Sequence, residues 1–376
     1  MINQSIYLDY NASTPIASEV ADAMKPFLTQ HYGNPSSPHW AGMPAKEAVE
    51  NARKQVADLL HCHPGEIVFT SGGSESNNHA IKGVFFAQQK KGNHIITTQV
   101  EHPAVINPCR FLETLGAAVT YVEVDHYGRV NPEEIEKAVT VKTVLITVMH
   151  ANNEVGTIQP IEEISKIARG HGIIFHTDAA QAVGKIDTKV DDLGVDLLSV
   201  AGHKLYAPKG VGALYIRRGT PIEPLVHGAG HESGRRAGTE NVLLIVGLGK
   251  ACDIAKRYLN DNKIRDLRDR FWGLLQKSFG KGIVLNGHPT YCLPNTLSVS
   301  FVGKIGGEIL SRLDGVAAST GSACHAGSVE LSPVLKAMAV PPEVGMGAIR
   351  FSLGRMTTIG EVDRVVQLLK SALSGE

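Results

Sequence analysis

"GIIFHTDAAQAVGK", residues 172 to 185, is an apolar run that ends on a carboxylate, Asp178, and turns through small residues into Gln181. Its apolar positions do not alternate with polar ones, as expected of a strand covered on both faces. Runs of the same texture lie on either side: "EIVFT" (66 to 70), "NHIITTQ" (93 to 99), "AVTYVEV" (118 to 124), "TVLITVM" (143 to 149), "DLLSVAG" (196 to 202) and "GVGALYIR" (210 to 217). Amphipathic helical stretches separate most of them. That order predicts an α/β fold with a seven-stranded, mainly parallel sheet between two layers of helices. Ligands of such sheets gather beyond the carboxyl ends of the strands.

After about residue 255 the texture changes. "NKIRDLRDRFWGLLQKSFG" (262 to 280) reads as a long amphipathic helix. It is followed by the strand candidate "NTLSVSFVG", the helical "GGEILSRL" and a closing helix from about Ile359 to Leu373. We expect a large domain over residues 15–255 and a smaller α+β domain built from 1–14 and 256–376.

Lys+Arg and Asp+Glu balance at 37 each, which leaves no electrostatic footprint for nucleic acid or an anionic membrane. No run is long and apolar enough to cross a bilayer, and "MINQSIYLDYNAS" lacks a secretory pattern, so a soluble, cytoplasmic protein is expected. Five cysteines without a CxxC pair read as reduced thiols, and "HCHP" (61 to 64) has no second cluster to complete a metal site.

Three features stand at strand ends. "FTSGGSESNN" (69 to 78) runs through glycines into a helix, placing Gly73 and Ser74 to hold a phosphate on free amides and the helix dipole. Asp178 is either a helix cap or a functional carboxylate. "SVAGHKLYAPKGVG" (199 to 212) places Lys204 after His203, either solvated or reactive. Together they describe what pyridoxal phosphate requires: an anion site, a partner for the pyridinium nitrogen and a Schiff-base amine. "TTQVEHPAVIN" (97 to 107) adds His102, which either packs at a helix start or moves protons near neutrality.

These motifs, with "YLDYNASTP" (7 to 15), "GNPSSPHWAG" (33 to 42), "MHANNEVGTIQP" (149 to 160), "GHESGRRAGTENV" (230 to 242), "STGSACHAGS" (319 to 328) and "IRFSLGRMTT" (349 to 358), resemble the cysteine desulfurases of the NifS/IscS type. That group lies within the class V aminotransferase-like enzymes of fold type I. The resemblance implies that Lys204 is the Schiff-base lysine, Asp178 pairs with the pyridine nitrogen, and Gln181 bonds the phenolic oxygen. It implies that His102 stacks on the ring as acid and base. Gly73, Ser74 and His203 hold the phosphate, joined by Thr239 from the other subunit of a homodimer. Asn153 and Arg350 hold the substrate carboxylate.

By the same resemblance, Cys324 is the nucleophile that takes sulfur from L-cysteine, leaving L-alanine and a persulfide for protein acceptors such as an iron-sulfur scaffold. Its small-residue surroundings read as a mobile loop able to carry sulfur outward. Two residues depart from the desulfurase pattern. Ala201 stands where a serine usually meets the phosphate, and His325 follows the nucleophile where a small or hydroxylic residue is common. His325 either lowers the Cys324 pKa when protonated or faces solvent. Both departures resemble selenocysteine lyases on the same scaffold. That activity, and a non-catalytic sulfur-relay protein, stay open beside the desulfurase.

Overall fold

The computed structural model describes residues 5–259, 261–320, 322–325 and 328–373, with the side chains of 322–325, 328 and 329 outside the description. The chain begins with β1 (Ile6–Tyr7) and then builds a sheet from β2 (Ile67–Thr70), β3 (His94–Thr98), β4 (Ala118–Val122), β5 (Thr143–Thr147), β6 (Ile174–Asp178), β7 (Leu197–Ala201) and β8 (Gly212–Ile216). The spatial order is β2-β8-β7-β6-β5-β3-β4. Every neighbouring pair is parallel except those made by β8, which is antiparallel to β2 and β7. The reversal has a local cause. A parallel return needs a crossover of a dozen or more residues, and the segment 202–211 between β7 and β8 is too short to make one. That segment carries Lys204.

The strands carry apolar side chains on both faces because successive side chains enter different cores. Ile67, Ile96, Ile146 and Leu198 join one buried cluster with Phe175 and Tyr215. Their neighbours Val68, Ile95, Leu145 and Leu197 join another with Ile81 and Leu112. Side chains alternate across a strand, so a sheet covered on both faces tolerates no polar alternation.

A separate apolar cluster contains Ile6, Leu8, Phe271, Leu297, Phe351, Val362 and Leu369. It lies about an antiparallel sheet of four strands, in which β9 (Ile283–Asn286) and β10 (Thr296–Phe301) join two strands from later in the chain. The chain continues through β11 (Val316–Ala317), β12 (Ser319–Thr320), β13 (Ser322–His325), β14 (Ser328–Leu331) and β15 (Ala348–Ser352). The small sheet has the order β12-β15-β10-β9. Helices Lys263–Phe279 and Ile359–Leu373 supply its cover, as their apolar stripes require.

The N-terminus belongs with this part, since β1 pairs in parallel with β11 and Asp9 bridges Ser352. From there the chain crosses to the large sheet. Thr14 N donates to His203 O at 2.9 Å and Thr14 Oγ1 accepts from Tyr206 N at 2.7 Å. The segment expected to be a loop around Cys324 instead runs as two short antiparallel strands, β13 and β14, with Cys324 opposite Val329. Among the described residues, no helix is long and apolar enough to cross a membrane.

Candidate active site

A cleft of about 590 Å³ opens at the carboxyl ends of β6 and β7. Gly73, Ser74, His102, Asn153, Asp178, Gln181, His203, Lys204 and Arg350 all line it. Those from Gly73 to Lys204 are gathered because parallel strands end on the same side of the sheet, and Arg350 is added from β15 of the small sheet.

Gly73 begins the 16-residue helix Gly73–Gln88, which has no side-chain cap. Its first-turn amides have no intrahelical acceptor, and the dipole adds partial positive charge. Gly72 turns into it at φ 148°, a conformation that favours glycine. Glu75 holds the turn, accepting from Ser71 N at 2.8 Å and pairing with Arg236 at 2.9 Å.

Asp178 is buried at the end of β6. Oδ1 accepts from Ala180 N at 2.9 Å, the local capping bond, and Oδ2 accepts from Asn77 Nδ2 at 2.7 Å. The Asn77 Oδ1 atom is buried without a hydrogen-bond partner among the described residues. The capping use of Asp178 is thus present, with Asn77 steadying its other oxygen.

Lys204 closes a short 3-10 turn after β7, and its Nζ donates to Asn11 O at 2.6 Å and Ala12 O at 2.9 Å. Burial, reinforced by the Arg350 charge and partly offset by Asp178, lowers this amine to about 8. His203 is lowered to about 4, first by burial and then by Lys204, and so is neutral at pH 7. His102 is the N-cap of helix Pro103–Glu113, its Nδ1 accepting from Ala104 N at 3.0 Å. With Nδ1 engaged as acceptor, the neutral ring carries its proton on Nε2. Burial also lowers His102, against the pull of Asp178, so the neutral form dominates near pH 7.

Three neighbours were not singled out in the sequence. Asn11 O accepts from Gln181 Nε2 at 2.9 Å as well as from Lys204, while Asn11 Nδ2 donates to Thr296 Oγ1 at 2.8 Å. It therefore joins the large sheet to the small one. Lys185 Nζ donates to Gln181 Oε1 at 2.8 Å, fixing that amide's orientation, and burial beside Lys204 and Arg350 depresses it well below an ordinary lysine. Asp9 faces Arg350 at 2.7 Å. "YLDYNASTP" held Asp9 and Asn11 in plain view, but nothing local to them signals a partner hundreds of positions away.

Thr239 stands apart from the cleft: it is exposed and lines a smaller cavity of about 100 Å³ beside Ser71 and Gly210. The side chains of Cys324 and His325 lie outside the described residues. Ala201 is buried at the end of β7, and its Cβ would lie 3.1 Å from a Cβ built on Gly73, so the methyl group closes the wall beside the helix start.

The aminotransferase class-V family model matches residues 6–365. A curated relative from Dictyoglomus turgidum, "Cysteine desulfurase IscS", is 50% identical over 373 residues, covering 98% of this chain and 94% of its own. Among solved structures, a "NifS-like protein" superposes with a TM-score of 0.93 at 39% identity, covering 99% of this chain and 100% of its own. Another, "SspA in complex with cysteine", gives 0.84 at 40% identity, covering 93% and 99%.

Proposed function

From the premise that the chain belongs to the aminotransferase class-V family, we propose that it is a pyridoxal-phosphate-dependent cysteine desulfurase with Cys324 as sulfur acceptor. The observation that carries this is the convergence of an amine lowered to about 8, a buried carboxylate and an uncapped helix start in one cleft. These residues fit the cofactor. The helix amides of Gly73 and Ser74 suit its phosphate, neutral His203 can donate to it, and Asp178, steadied by Asn77, suits a protonated ring nitrogen.

When bound, the cofactor supplies a cationic aromatic ring that withdraws electrons from the substrate Cα. The chain's own residues do the rest. Lys204, roughly a tenth neutral at pH 7 with a pKa of about 8, is available to take a proton from Cα. His102, neutral and held by Ala104 N, holds or returns a proton in the cleft. Arg350 presents a planar fork to the substrate carboxylate beside Asn153. The Cys324 thiolate attacks the substrate sulfur, the Cβ–S bond breaks and an S–S bond forms. The electron pair of the broken bond stays with the β-carbon, which takes up one proton, equivalent to the one lost by the Cys324 thiol. L-Cysteine and Cys324–SH thus become L-alanine and Cys324–S–SH, with the β-carbon reduced by two electrons and each of the two sulfurs oxidised by one.

We place the domain division near residues 15 and 255, supported by the separate apolar clusters, and assign Thr239 to the neighbouring active site of a C2 homodimer. Protein sulfur acceptors take the persulfide.

The test is production of alanine and sulfide from L-cysteine, with and without a reducing thiol, for wild type and Cys324→Ala. Wild type should release both and the variant neither. Turnover of selenocysteine but not cysteine by wild type would assign a selenocysteine lyase instead. Undiminished desulfuration by Cys324→Ala would refute the role of that thiol.

A further inference from the structure

Arg350 is only 9% exposed. Two of its donors are spent: Nη2 on Asp9 Oδ1 at 2.7 Å and Nη1 on Asn153 O at 2.9 Å. Its Nε is buried with no partner among the described residues. The same Asp9 Oδ1 accepts from Ser319 Oγ at 2.9 Å. Ser319 also pairs with Arg350 across β12 and β15, and the chain runs from β12 directly toward the strand that holds Cys324. One carboxylate oxygen therefore joins the guanidinium to the entry of the cysteine segment.

We propose that Asp9 is a positioning residue that presets Arg350 for the substrate carboxylate and, through Ser319, anchors the cysteine segment to that same group. The inference rests on the reading of Arg350 as the carboxylate site. A buried guanidinium without a counter-charge is costly to desolvate. With Asp9 and Asn153 O holding two of its corners, the fork is kept in one orientation while Nε and the remaining N–H groups stay available. Binding then loses little side-chain entropy. Asp9 comes from the N-terminal segment and Arg350 from the small sheet, so their placement also depends on the pairing of β1 with β11 and of Asp9 with Ser352.

The experiment measures KM and kcat for L-cysteine in the holoenzyme, together with affinity for L-alanine read from the cofactor's absorbance. The variants are Asp9→Ala, Asp9→Asn, Ser319→Ala and Arg350→Ala. Asp9→Ala should raise KM and weaken alanine binding at least tenfold. Asp9→Asn keeps an acceptor oxygen for both bonds but removes the counter-charge, and should recover part of each loss. Ser319→Ala should leave alanine binding intact but lower kcat several-fold. The inference is overturned if Asp9→Ala leaves alanine affinity within twofold of wild type, if Asn rescues no better than Ala, or if Ser319→Ala leaves kcat unchanged. Arg350→Ala separates the two claims: unchanged KM and alanine affinity there would remove the carboxylate site itself, whereas their loss there with an inert Asp9→Ala would remove only the role of Asp9.

Discussion

Lys204 and the cysteines show how surroundings set reactivity at the scale of one residue. The amine donates to two carbonyls and is lowered to about 8 by burial and the Arg350 charge. Only the neutral amine is nucleophilic. The apo protein should therefore take up pyridoxal phosphate with a rate that rises through about pH 8, followed by stopped-flow absorbance; a rise centred near 10.5 would contradict the lowered amine. Lys204→Ala should retain cofactor through phosphate and ring contacts yet lose all turnover. Burial acts oppositely on the thiols of Cys62, Cys109 and Cys252, pushing each up to about 12. Because the thiolate reacts, one equivalent of iodoacetamide at pH 7 should inactivate the enzyme with the label on Cys324, mapped by peptide mass. Inactivation with Cys324 unmodified would count against its role.

Where elements meet, the phosphate cradle depends on backbone approaching backbone. A Cβ on Gly212 in β8 would lie 2.5 Å from Val200 O and 2.7 Å from Gly72 Cα, main-chain atoms that cannot swing aside. Gly212→Ala should displace the Gly72 turn, costing about 1–3 kcal/mol of stability and at least a tenfold loss of cofactor affinity, measured by equilibrium dialysis. Ala201 faces the same helix start from β7. Ala201→Ser should tighten cofactor binding by about 1 kcal/mol through an added phosphate hydrogen bond, while the apo form loses stability because the hydroxyl is buried unpaired. A variant with unchanged affinity would place the residue 201 side chain out of reach of the phosphate.

Acid sensitivity and assembly belong to the whole molecule. Burial lowers His79 and His150 to about 4 and His176 to about 3. Their folded values lie below the unfolded value near 6.5, so between about pH 6.5 and 4 the unfolded chain binds protons that the folded one refuses. Stability is then lost as pH falls through that window. Glu101, raised to about 8 by burial, slopes the other way between 4.5 and 8, but His203, also lowered to about 4, adds to the three histidines against it. The apparent melting temperature should drop by several degrees from pH 6.5 to 4, and His176→Asn should flatten the slope. Thr239, exposed and outside the main cleft, should act across a subunit boundary. Sedimentation should show a species of twice the chain mass, with Thr239→Ala weakening cofactor retention more than folding; a fully active monomer would rule that arrangement out.

What residues 172 to 217 and the turn at 69 to 78 could determine alone was local. Short apolar runs bounded by turn residues suit a strand buried on both faces, and a carboxylate, lysine or glycine turn just past such a strand falls at the ligand edge of the sheet. Hence β6, β7, Asp178, Lys204 and Gly73 were readable from order and texture. The strand pair around Cys324 was not, because small residues and glycines carry a loop signal and only the facing segment Ser328–Leu331 supplies the pairing. Nor were the contacts of Asn11 with Lys204 and Thr296, or of Asp9 with Arg350. These join residues whose own neighbourhoods carry no trace of each other. They arise only once β1 pairs with β11 and the following segment crosses to the large sheet, because hydrogen bonding between side chains depends on distances of about 3 Å that only packing of the distant elements imposes.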